Sequence, residues 1–261
     1  MSSNSTENLK VTVFQPNIIW ENPKANINKY SEWIENLDDT DVIILPEMFT
    51  TGFSMSPENL KEPVNGSSVE WMKKMAAKKD AAVVGSLIIE ENNQIYNRAF
   101  WVFPDGKIEY YNKRHLFTMG QEHLHYSGGK EKLIVEYKGW RFCPLICYDL
   151  RFPVWSRNSK NYDVLIYMAN WPSARHHVWK NLLIARAIEN QSYCFGVNRV
   201  GTDGAGLKYS GDSAMISPKG FNTFLGEKEE VQTFEISYSE LHNFRKSFPL
   251  LNDCDEFRVE S

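Results

Sequence analysis

Three polar side chains in this sequence are of types that could do chemistry, and two of them, Glu47 and Cys147, stand where an apolar run gives way to irregular chain. Glu47 closes the run Ile43-Ile44-Leu45-Pro46 and is followed by Met48 and Phe49. A carboxylate partly buried among such neighbours is a usable general base. A solvated acid at a surfacing strand is the alternative, and this segment alone does not choose between them. Lys113 lies in Tyr110-Tyr111-Asn112-Lys113-Arg114-His115-Leu116-Phe117. Adjacent Lys and Arg ordinarily form a solvated basic patch; the chemical alternative is an ammonium fixed beside a reacting centre. Cys147 ends the apolar run 142–146 and is followed at once by Tyr148, Asp149 and Arg151. A cysteine at a strand-to-helix turn presents its sulfur, and the next N–H, that of Tyr148, is left to donate to an oxyanion. A thiol with an ordinary pKa of about 8.5 still needs a base or a positive charge to act. Cys143, Cys194 and Cys254 read as inert core residues.

Other chemistries find less support. His123 and His125, with Glu122 beside them, lack a matching Cys or His pair at zinc spacing, and the adjacent His176 and His177 cannot share one helical face. No metal is expected. There is no G-x-S-x-G elbow, no G-x-G-x-x-G and no phosphate loop, so no cofactor is expected either.

Short apolar runs must carry these residues. Segments 11–15, 42–45, 82–89, 99–103, 133–137, 141–146, 164–169, 193–198 and 213–217 are expected to be strands, most of them bounded by Pro, Gly, Asn or Asp. Apolar spacing predicts helices over 23–37, 67–79 and 177–190. Pro104-Asp105-Gly106-Lys107 and Ser217-Pro218-Lys219-Gly220 read as hairpin turns. Strands mixed with helices and hairpins imply an α/β chain with a mixed sheet rather than a purely parallel one.

Composition sets the outer bounds. The chain has 261 residues, 42% of them hydrophobic and 24% charged, with a formal charge of −4. That balance is globular, and its mild acidity argues against nucleic acid as a partner. No run approaches the roughly 18 apolar residues of a membrane span, and the polar N-terminus lacks a secretory core. Four cysteines are too few for a disulfide scaffold, so a cytoplasmic setting with reduced thiols is the default. With no linker or repeat, residues 1–10 are expected to be a flexible N-terminus and 11–261 a single domain.

Taken together, the segments resemble the nitrilase, or carbon–nitrogen hydrolase, superfamily, whose catalytic Glu, Lys and Cys occur in that chain order. The matching stretches are Leu45-Pro46-Glu47-Met48-Phe49, Tyr111-Asn112-Lys113-Arg114-His115-Leu116-Phe117 and Ile146-Cys147-Tyr148-Asp149-Leu150-Arg151-Phe152-Pro153. Met168-Ala169-Asn170-Trp171-Pro172, Ala187-Ile188-Glu189-Asn190-Gln191 and Tyr209-Ser210-Gly211-Asp212-Ser213 also fit. Cys-Tyr-Asp is similar to the amidase side of the superfamily; nitrilases proper usually carry Cys-Trp-Glu. The nearest likeness is to bacterial omega-amidases, which hydrolyse 2-oxoglutaramate and related 2-oxo acid amides. Leu150-Arg151 stands where carbamoyl-amino-acid hydrolases can place two arginines, which weakens a carbamoylase reading.

The resemblance implies a four-layer α-β-β-α sandwich and a homodimer or larger homo-oligomer paired through helices beside the active site. It implies that Glu47 is the base, Cys147 the nucleophile that becomes a thioester, and Lys113 with the Tyr148 N–H the oxyanion donors. Glu122 resembles the family's second glutamate. A substrate carboxylate needs a cation: Arg151 is the first candidate, with Arg114 and Arg175 as rivals, and a structural salt bridge is the competing role for Arg151. Asn170 and Trp171 match a loop facing the pocket, and Phe117 and Tyr126 are expected as walls. Arg186 and Glu189, three apart on a predicted helix, look structural. The competing functions are another amidase or nitrilase of the superfamily with a different acyl pocket, and a catalytically silent interaction protein.

Overall fold

The computed structural model describes residues 8–259. The first half of the chain builds one sheet from β1 (Leu9–Gln15), β2 (Val42–Ile44), β3 (Glu62–Pro63), β4 (Ala82–Glu91), β5 (Gln94–Val102) and β6 (Ile108–Asn112). The second half builds another from β7 (Val135–Tyr137), β8 (Trp140–Ile146), β9 (Val164–Met168), β10 (Tyr193–Val197), β13 (Ala214–Ile216) and β14 (Asn222–Phe224). Between β10 and β13, β11 (Val200–Thr202) and β12 (Lys208–Ser210) form a separate hairpin, and β15 (Glu230–Ile236) returns to the first sheet. The strand orders are β15-β1-β2-β4-β5-β6, with β3 on β4, and β14-β13-β10-β9-β8-β7. The described residues also hold five α-helices, α1 (Pro23–Glu35), α2 (Ser67–Lys79), α3 (Pro153–Ser156), α4 (His176–Glu189) and α5 (Tyr238–Ser247), and six short 3₁₀ segments.

The period-two alternation of strand side chains explains the layering. On β2, Val42 and Ile44 turn toward the other sheet, while Ile43 joins Tyr30 and Ile34 of α1 and Val69, Met72 and Met75 of α2. Between the sheets the Trp101 and Phe142 rings meet at 4.6 Å, and Phe195 meets Phe234 at 6.1 Å. On the far side α4 lies so close to β10 that a Cβ at Gly196 would come within 2.4 Å of Leu183 and 2.7 Å of Trp179. The result is an α-β-β-α sandwich, as expected, with each sheet buried on both faces over most of its central strands.

The expected strands and helices are all present, with their ends moved by a few residues. β1 begins at Leu9, paired with Ile236, so the boundary expected after residue 10 falls inside a strand; residues 1–7 of the expected flexible segment lie outside the described residues. β5 begins five residues before its apolar run because it pairs with β4 down to Glu91 and Gln94. Both expected hairpin turns join antiparallel neighbours, β5 to β6 and β13 to β14. Apolar content did not signal the short strands β3, β11, β12 and β14, nor β6 and β15, which are amphipathic edge strands whose polar residues mostly face outward. Cys254 is corrected from a core residue. It is half-buried in the segment after α5, with Arg157 Nη2 2.6 Å from its sulfur.

Candidate active site

The strands aim the site residues at one edge. β2 is parallel to β4, and β6 resumes their direction after antiparallel β5. β8 and β9 are parallel within the second sheet. Glu47, Lys113, Cys147 and Asn170 each follow the carboxyl end of one of these strands, β2, β6, β8 and β9. Crevices outside carboxyl strand ends are where open α/β sheets hold ligands. Here Glu47, Lys113 and Cys147 line one cavity of about 210 Å³, together with Asn170.

Two of these turns carry left-handed backbone on side chains that rarely take it: Met48 has φ +44° and Cys147 φ +42°. Such conformations cost about 1–3 kcal/mol each and persist only where surrounding contacts impose them. At Cys147 the imposing contacts are visible. Cys147 opens a short 3₁₀ turn through Arg151, and fully buried Asp149 anchors it. Asp149 Oδ2 accepts from the Ile146 N–H at 3.0 Å and the Tyr111 hydroxyl at 2.8 Å; Oδ1 accepts from the His115 N–H at 3.1 Å and meets its ring Nδ1 at 2.7 Å. From behind, Arg186 of α4 donates to the Leu150 carbonyl at 2.7 Å and pairs with Glu189 at 3.0 Å. The turn leaves the Tyr148 N–H among the early donors of a helical segment that have no internal acceptor.

Lys113 is clamped. Its Nζ donates to Glu47 Oε1 at 2.8 Å and to Glu122 Oε1 and Oε2 at 2.9 and 3.0 Å, so all three ammonium hydrogens meet carboxylate oxygens. Burial works against the charge on Lys113, but Glu122 and Glu47 outweigh it and hold the pKa above the ordinary lysine value. Burial pushes the Glu122 carboxyl up; Lys113 pulls it back, and Glu47 pushes it further up. Burial also raises the Cys147 thiol well above an ordinary cysteine. The Glu47 charge adds to the rise and Lys113 opposes it. The resting sulfur is therefore a thiol, and thiolate has to be made by proton transfer rather than stored.

Glu47 and Asn170 are also joined: the Asn170 N–H donates to Glu47 Oε2 at 2.9 Å and its Nδ2 to the Glu47 carbonyl at 2.6 Å. The Cys147 sulfur makes a long contact, 4.0 Å, to the Asn170 carbonyl oxygen. Among the expected wall residues Phe117 and Trp171 line the cavity. Tyr126 does not. It is buried in a small cluster with Met48 and Ile88, and its hydroxyl donates to the Ser54 carbonyl at 2.6 Å, because the loop it closes folds back behind Lys113. Glu122 likewise stands behind the lysine rather than on the wall. Arg151 and Arg175 both line the cavity, with their guanidiniums over the Trp171 and Phe117 rings at 4.9 and 5.5 Å. Neither guanidinium has a carboxylate partner among the described residues, so the salt bridge weighed for Arg151 is not formed. Arg114 is elsewhere, over Trp155 at 4.5 Å.

Sequence reasoning missed Asn97, Ser86, Asp149 and Asp203. Asn97 Nδ2 donates to Glu47 Oε1 at 2.8 Å, and Asp203 lines the cavity with its carboxylate held by the Tyr209 hydroxyl at 2.7 Å. Asn97 stands two residues before the expected strand 99–103 and carried no sequence signal, whereas Asp149 lies two residues past Cys147, a spacing that is local. Among the described residues no three His, Cys, Asp or Glu side chains group as metal ligands, and no helix is long and apolar enough to cross a membrane.

The carbon–nitrogen hydrolase family model matches residues 10–246. Omega-amidase YafV of Escherichia coli strain K12 is 44% identical over 96% of this chain and 98% of its own length. The 2-oxoglutaramate amidase of Bacillus subtilis is 36% identical over 93% of this chain and 96% of its own. Among solved structures, a CN-hydrolase superfamily protein from Xanthomonas campestris, with an arsenic adduct in its active site, superposes with a TM-score of 0.95. It is 42% identical, and the match covers 97% of this chain and 99% of that one.

Proposed function

Because this chain belongs to the carbon–nitrogen hydrolase family, we propose that it hydrolyses the terminal amide of small 2-oxo dicarboxylate monoamides, of the 2-oxoglutaramate type, to the 2-oxo acid and ammonia. The chain is an enzyme of the omega-amidase-like kind; the substrate and the residue roles are our reading. The observation that carries it is the contact of Glu47 with Lys113, 2.8 Å, on the wall of the cavity that Cys147 enters. Arg151 and Arg175, without counter-ions on that same wall, support an anionic acyl chain.

In the proposed reaction Glu47 takes the thiol proton as the sulfur attacks the amide carbon. The oxyanion is met by the Tyr148 N–H and by Lys113, whose hold on Glu47 weakens once that carboxylate is protonated. One such donor is typically worth about 2.7–4 kcal/mol of barrier. Glu47 returns the proton to the departing nitrogen, ammonia leaves, and a thioester remains on Cys147. Glu47 then takes a proton from water, whose oxygen attacks the thioester, and the proton goes back to the leaving sulfur. Glu122 keeps Lys113 in place and charged. No metal or redox group enters this scheme. We further propose that the domain expected over 11–261 is a single hydrolase domain, opened by β1 at Leu9, and that it works as a homodimer or larger homo-oligomer.

Ammonia release tests the reading on a panel of 2-oxoglutaramate, glutamine, an aliphatic nitrile and a carbamoyl amino acid. Highest kcat/KM on 2-oxoglutaramate is expected, with a quenched thioester mass on the Cys147 peptide and loss of turnover in Cys147→Ala. Preference for the nitrile or the carbamoyl compound would replace the substrate; an adduct on Cys143 would remove the nucleophile.

A further inference from the structure

Two residues that stand off the cavity wall determine how Glu47 is held. Ser86 on β4 and Asn97 on β5 are both fully buried. The N–H of Met48, one residue past Glu47 in the left-handed turn, donates to Ser86 Oγ at 2.8 Å. The Ser86 hydroxyl hydrogen goes in turn to Asn97 Oδ1 at 2.9 Å. That settles which way the amide faces. Oδ1 is committed to Ser86, so Nδ2 points at the carboxylates, 2.8 Å from Glu47 Oε1 and 3.3 Å from Glu122 Oε1. The flipped amide would set its oxygen against two carboxylate oxygens and leave Ser86 without an acceptor.

The two oxygens of Glu47 are thereby made unequal. Oε1 receives both Asn97 Nδ2 and Lys113 Nζ, each at 2.8 Å. Oε2 receives the Asn170 N–H alone, at 2.9 Å. A carboxylate held by two donors on one oxygen cannot rotate without losing both, and in a buried site each loss leaves an unmet donor. We propose that Ser86 and Asn97 are positioning residues for Glu47, a directed chain from the Met48 N–H that pins Oε1 so that Oε2 is the oxygen exchanging protons with Cys147 and with water. The inference rests on Glu47 being the base of the proposed amidase.

Two variants test it. Ser86→Ala removes one oxygen and frees the Asn97 amide to turn; Asn97→Asp keeps the shape and exchanges the donor for an acceptor. Misplacing a base by a fraction of an ångström acts on turnover, so kcat on 2-oxoglutaramate should fall about tenfold in Ser86→Ala and about a hundredfold in Asn97→Asp, with KM within about twofold of wild type. A second readout needs no amide: the rate of Cys147 alkylation by iodoacetamide, followed by mass on its peptide. If Ser86 acts through Glu47, Ser86→Ala should change that rate about threefold or more with Glu47 present and leave it unchanged in a Glu47→Gln background, the signature of a coupled pair. Equal changes in both backgrounds, or a rise in KM with kcat intact, would overturn the assignment. Wild-type protein inactive on every amide would instead sink the amidase reading, while the alkylation cycle would still decide the relay.

Discussion

At the scale of single residues, the chemistry is governed by three buried charges, Glu47, Lys113 and Glu122. Two carboxylates surround one ammonium, and the thiol beside them is pushed up by burial and by Glu47. Alkylation of Cys147 should therefore accelerate as pH rises through the alkaline range, while Cys143, whose thiol burial pushes up to about 12, stays unlabelled in the native protein. A rate that levels off below pH 7 would mean a preformed thiolate and would contradict this picture. Lys113 works in the opposite sense. Its folded-state pKa lies above the ordinary value of about 10.4, so its contribution to stability is complete below that value and fades only as pH rises beyond it. Little loss of kcat/KM from lysine deprotonation is expected between pH 7 and 9. The arginines separate by substrate. Removing the one that binds the acyl carboxylate forfeits a charged hydrogen bond, about 1.5–3 kcal/mol or about ten- to hundredfold in kcat/KM. Arg151→Met should show that loss on 2-oxoglutaramate and spare a neutral amide; an equal effect on both would transfer the role to Arg175.

At the scale of elements, the site is a set of strand ends whose turns are tied to one another. Asp149 joins the cysteine turn to β6 and the chain after it through three contacts, one to Tyr111 and two to His115, and closes the turn on its own Ile146 N–H, so the nucleophile and the lysine loop share an anchor. Asp149→Ala would leave the Ile146 and His115 N–H groups and the Tyr111 hydroxyl without their acceptor. A loss of about 3 kcal/mol or more in urea unfolding is expected, together with a fall in turnover. Full activity in that variant would mean that the left-handed Cys147 backbone is held by something else. The Cys-Tyr-Asp spacing was legible in the sequence, because residues two apart on a turn are local. Asp149's partners at Tyr111 and His115, 38 and 34 residues away, were not.

At the scale of the whole molecule, the sandwich buries its sheets against helices on both outer faces yet leaves Val154 of α3 and Ile188 of α4 56% and 46% exposed. A second copy in the proposed homodimer or larger homo-oligomer would cover part of that surface. Light scattering should then give twice the 30.3 kDa chain mass or a larger multiple. A value of 30.3 kDa at micromolar concentration would refute it.

What the sequence determined by itself was chemical and local. Glu47 and Cys147 each end an apolar run that forms a strand, and the resemblance of the stretches around Glu47, Lys113 and Cys147 to the carbon–nitrogen hydrolases named all three before any coordinates. Which side chains meet was set by the folding of distant segments onto one another. Asn97 and Ser86 emerged as supports of Glu47, Tyr126 moved off the wall, Arg151 and Arg175 were left facing the cavity without counter-ions, and Arg114 was carried away from it. The physical reason is distance along the chain. Burial and turn geometry are written within a few residues, whereas a hydrogen bond between Glu47 and Lys113 depends on two strands, 66 residues apart in sequence, ending at the same edge of one sheet.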